Sequence, residues 1–99
     1  MTFEEFRASL AAGEEPPAAD LSTPLRALWL DGKGDSAAAH RAVNDLETTD
    51  AARVHAYIHR KEGDLDNAGY WYRRAGATPS VESLDNEWAA LVRALLAAE

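Results

Sequence analysis

Two Gly-Asp dipeptides, Gly34-Asp35 and Gly63-Asp64, stand 29 residues apart, and each glycine is followed five residues later by an alanine, Ala39 and Ala68. Glycine ends a helix readily and aspartate caps the next one, so each pair predicts a tight turn between two helices. The repetition predicts two helical hairpins of one kind, a unit that leaves a face uncovered and needs neighbours.

The second hairpin carries most of the unusual chemistry. Residues 54–76, VHAYIHRKEGDLDNAGYWYRRAG, hold two of the three histidines and all three tyrosines. Residues 54–62 read as its first helix. Leu65, Ala68, Tyr72 and Ala75 recur at three- and four-residue steps and give the second helix an inward face. Ala56 and Ala68-Gly69 are small, which lets the two helices approach closely.

The remaining helices follow from caps and stripes. Thr2-x-x-Glu5 is a capping-box pattern that opens a helix over 3–12, ended by a connector over 13–20. Ser22-Thr23-Pro24 starts a helix with a Leu25, Leu28, Trp29 stripe, stopped by Asp31-Gly32-Lys33-Gly34. Asp35 caps a helix with Ala39, Val43 and Leu46 inside, and Thr48-Thr49-Asp50 opens the second hairpin. After a break over 76–80, Ser83 starts a last helix whose Leu84, Trp88, Leu91 and Leu95 are expected to shield that hairpin. No segment alternates with period two. The expectation is an all-α domain over 1–99: helix and connector over 1–20, two helical hairpins over 21–76, and a covering helix over 77–99.

The hairpins resemble the tetratricopeptide repeat. His55-Ala56-x-x-His59 stands where that repeat has Leu-Gly-x-x-Tyr, and Ala68-x-x-x-Tyr72 matches its Ala-x-x-x-Phe, with Ala52 in place of the leading Trp. Residues 25–95, with H-A-Y-I-H-R-K-E-G-D and N-A-x-Y-W-Y-R-R-A-G, are also similar to a family of small uncharacterised helical proteins. That second resemblance implies a fold and no function. The first implies a concave groove lined by the first helix of each hairpin, which makes Arg53, Tyr57, Arg60 and Lys61 groove candidates, extended by Trp71 and Arg74 on the next helix.

Charge gives those positions a chemistry. The chain carries −7 in all, but residues 51–76 alone hold five bases against three acids. An acidic body repels nucleic acid and anionic membranes, so neither is an expected partner, whereas the basic hairpin suits a carboxylate or acidic peptide. The competing reading pairs these cations with the protein's own acids. No cysteine is present, which excludes disulfides and thiol chemistry. No apolar run reaches the length of a membrane span, and MTFEEFRASL lacks a basic leader, so the cytoplasm is the expected compartment.

Three histidines offer the one alternative site. His55 and His59 are four residues apart on one helical face, with Glu62 one turn further, and His40 on the preceding helix can join them. This set suits packing across the hairpin, proton transfer, or a pocket for a small molecule or an enzyme's substrate. No Cys set, acid-rich set or His-Glu-x-x-His spacing accompanies it, so no metal and no cofactor are expected. The serines at 9, 22, 36, 80 and 83 sit mostly at helix starts and form no catalytic motif. The leading expectation is a protein–protein interaction module. A histidine pocket is the second reading, and a homodimer through exposed aromatics is the third.

Overall fold

The computed structural model describes residues 1–13 and 15–99; Glu14, inside the expected connector, lies outside the described residues. Among the described residues six helices follow one another: α1 (Phe3–Ala12), α2 (Thr23–Gly32), α3 (Ser36–Val43), α4 (Thr49–Lys61), α5 (Leu65–Arg74) and α6 (Leu84–Ala98). No strand occurs among the described residues, so the all-α expectation holds. Among the described residues no helix is long and apolar enough to cross a membrane.

Every helix starts on the cap its sequence offers. Thr2 and Glu5 form the reciprocal capping box of α1, and the side chains of Ser22, Asp35, Thr48, Asp64 and Ser83 accept first-turn N–H bonds of α2 to α6. The two Gly-Asp pairs do double duty. Gly34 and Gly63 take left-handed backbone, with φ of +91° and +81°, where an L side chain is strained. The N–H of Gly63 donates to the Arg60 carbonyl at 3.0 Å, and that of Asp64 donates to the His59 carbonyl at 2.9 Å. Gly34 and Asp35 repeat the pair on the carbonyls of Asp31 and Leu30. These are the two bonds of a Schellman close. Each aspartate therefore ends one helix with its backbone and begins the next with its carboxylate.

The turns fold α2 on α3 and α4 on α5 as two hairpins. The alanines after them sit where helices cross. Ala39 is fully buried in the main core, while Ala56, Ala68 and Tyr72 form a separate buried cluster between α4 and α5. The main core gathers Phe6, Leu25, Leu28, Trp29, Val43, Val54, Ile58 and Val92. Helix α1 is tied in by Phe6 and by the Trp29 indole N–H, which donates to Ser9 Oγ at 2.9 Å.

Helix α6 packs on α4 of the second hairpin and also on α1 and α2. Trp88 drives this placement: its ring meets Phe3 and Phe6, and its N–H donates to the Leu28 carbonyl at 2.9 Å. A large aromatic with one donor is most stable where its body is buried and its N–H is paired. The groove expected along α2 and α4 is thereby occupied by the chain's own last helix.

Candidate functional site

Two buried acids meet the cations of α4. Glu87 on α6 is 2% exposed and accepts from Arg53 Nη1 at 2.7 Å, Arg60 Nη1 at 2.8 Å and the Tyr72 hydroxyl at 2.5 Å. Arg60 also donates to the Glu82 carbonyl. Asp31 on α2 is equally buried and accepts from Tyr57 Oη at 2.9 Å, Lys61 Nζ at 2.9 Å and Ser36 Oγ at 3.1 Å. Charge-assisted bonds of this kind satisfy a carboxylate that burial would otherwise penalise heavily. Burial, reinforced by the Asp31 charge, pushes the Tyr57 hydroxyl well above its ordinary range, and burial followed by the bond to Glu87 raises Tyr72.

The groove candidates on α4 have partners within the fold. The structure brings Arg53, Tyr57, Arg60 and Lys61 onto one face of α4, as their spacing requires, but that face points at Glu87 and Asp31. Tyr57 is buried, and the three cations are partnered from within. The competing reading of the cations therefore describes Arg53, Arg60 and Lys61. Trp71 and Arg74 remain outside that network. Arg74 lies over the rings of Trp71 and Tyr70, 5.4 and 5.8 Å from their centroids, and donates to the Tyr70 hydroxyl at 2.9 Å.

The histidines converge. His40 Nε2 and His55 Nε2 are 2.8 Å apart, and one ring nitrogen from each of His40, His55 and His59 lies within 4.8 Å of the others. His55 and His59 stack four residues apart on α4, nearly parallel at 11°, and Trp71 continues the column on the other side of His55 at 4.0 Å and 16°. His40, from α3, meets both histidines edge-on at 4.7 and 4.8 Å. Ring spacings this short leave room among the imidazoles for an ion and not for an organic substrate. A cleft of about 500 Å³ is lined instead by residues including Phe3, Leu10, Lys61 and Trp88.

Polar satisfaction within the cluster is incomplete. The Nδ1 atoms of His55 and His59 are buried without a hydrogen-bond partner. Glu62 sits across the open edge, its carboxylate oxygens 3.6 Å from His40 Nδ1 and 3.4 Å from His59 Nδ1, and Asp64 is 3.8 Å from the latter. These are ion-pair distances, not hydrogen bonds. Burial, then the neighbouring His40 and His59, lower the His55 pKa from its ordinary 6.5 to about 4, so that ring is neutral at pH 7.

Sequence reasoning passed over Asp31, read as part of a helix stop, and Glu87, which it did not single out. The signal for Glu87 was present: 84, 87, 88, 91 and 95 fall on one helical stripe, and an acid inside an apolar stripe demands a cationic partner. No protein-family model matches the chain, and no curated protein or solved structure matches it.

Proposed function

We propose that this chain is a small tetratricopeptide-like interaction module, and that it recognises an acidic segment of a partner protein through the outer side of α5. The observation that carries this reading is the division of cations. Arg53, Arg60 and Lys61 are neutralised by internal acids, whereas Arg73 and Arg74 are exposed and make no ion pair among the described residues. Beside them Tyr70 is 42% exposed and Trp71 is half-buried, with Arg74 across both rings. Arginine presented next to tyrosine and tryptophan is the composition of interface anchors, and the planar fork suits carboxylates. The chain carries −7 in all and residues 51–76 hold five bases against three acids, a contrast that would orient an acidic ligand toward this end.

The test uses labelled glutamate-rich peptides carrying one aromatic residue, titrated at two salt concentrations. Tyr70→Ala with Arg74→Glu should weaken binding at least ten-fold and flatten the salt dependence while the melting temperature is kept. Equal affinity in the double variant would remove α5 from the recognition surface.

A further inference from the structure

We propose that His40, His55 and His59 form a binding site for one divalent transition-metal ion of the Zn²⁺ class. The sequence argues against a metal here by lacking a Cys or acid-rich set and a known spacing, but three imidazoles can suffice for a zinc site and spacing is a poor guide when one ligand comes from another helix. Three imidazoles from α3 and α4 place one ring nitrogen each within 4.8 Å of one another. Nitrogens bound tetrahedrally at about 2.0–2.1 Å from zinc are about 3.3 Å apart. The 2.8 Å pair would open slightly, the wider pairs would close, and the parallel rings of His55 and His59 would turn out of their stack so that both lone pairs meet at the ion.

The surroundings select the tautomers a metal needs. A ligating histidine usually gives its other N–H to a carboxylate, which turns the lone pair toward the ion. Glu62 stands beside Nδ1 of both His40 and His59, so a proton on each Nδ1 leaves Nε2 free to bind. Ligation through Nε2 does not change the buried His55 Nδ1, which has no partner under either hydrogen-bonding tautomer. If His40 donates to His55, the N–H on His55 Nδ1 is buried without an acceptor; if His55 donates, that Nδ1 keeps an unused lone pair. A bound ion replaces the short contact between two ring nitrogens with three metal bonds. Trp71, stacked on His55, closes one side, and half-exposed His40 leaves an entry path on the other. Imidazole sets of this kind suit Zn²⁺, Ni²⁺ and Cu²⁺ rather than Mg²⁺ or Ca²⁺.

The test is calorimetric titration of the chelator-stripped full chain with Zn²⁺, followed by Co²⁺ quenching of tryptophan fluorescence. One ion per chain should bind, and His40→Ala should weaken it at least ten-fold. Glu62→Gln touches only an exposed side chain and should weaken binding about ten- to hundred-fold, as loss of a carboxylate behind a ligand does. Co²⁺ should quench Trp71, with the quenching gone in Trp71→Phe and the stoichiometry retained. Zinc affinity unchanged in both His40→Ala and Glu62→Gln, or no saturation at one equivalent, would overturn the proposal. Should His40→Ala fail to fold, Glu62→Gln and the location of quenching decide it.

Discussion

Replacing Glu87 with leucine isolates the element on which the groove closes. Leucine keeps the volume and suits the apolar stripe of α6, so no cavity term enters. What is lost is the acceptor for Arg53, Arg60 and Tyr72. Removing one partner of a buried charge pair costs about 3–5 kcal/mol when the remaining charge stays buried. Here the two arginine side chains are 23% and 20% exposed and can turn partly to water, which lowers that figure. The Tyr72 hydroxyl cannot turn, and an unsatisfied buried donor costs about 1–3 kcal/mol. The net expectation is about 3 kcal/mol. At about 4–8 °C per kcal/mol for a domain of 60–100 residues, the melting temperature should fall by about 12–24 °C. Circular dichroism on heating and in urea measures it, with Glu87→Gln as a milder comparator that keeps one neutral acceptor. A fall below about 4 °C for Glu87→Leu would refute the claim that this carboxylate anchors α6.

Three further outcomes follow from the geometry. Ala68→Leu overfills the crossing of α4 and α5 and should cost about 1–3 kcal/mol, read from urea midpoints. Gly63→Ala meets no neighbouring atom, so its cost of about 1–2 kcal/mol is conformational, and Gly63→Asn should cost less. His55 is held neutral in the fold, so the unfolded chain takes up its proton first as pH falls. Its contribution should be complete above about pH 6.5 and lost progressively toward pH 4, a loss of order 3 kcal/mol that is absent in a folded His55→Phe variant.

Helices and turns were legible because their signals are local. Each capping side chain and each Gly-Asp acts within about five residues, and the alanine register followed from helical period alone. The placement of α6 was not legible, since it depends on Trp88 finding Phe3, Phe6 and the Leu28 carbonyl far away in sequence. Without the long-range position of α6, the shared face of Arg53, Tyr57, Arg60 and Lys61 was legible but their internal partners Glu87 and Asp31 were not. The histidines were half legible. Spacing alone put His55 and His59 together, while the approach of His40 depended on how α3 packs on α4.

The occupied groove sets the terms on which anything else enters it. A covalently tethered helix confronts its binding surface at an effective concentration on the order of millimolar for a short linker. The loop from α5 to α6 spans residues 75–83, so α6 is such a tethered ligand, and Glu87 is its acidic anchor. An external acidic peptide must outcompete it before replacing Glu87 as the acceptor of Arg53 and Arg60. Micromolar affinity for the bare groove would register as binding only when the peptide reached far higher concentration, or when something first prised α6 away.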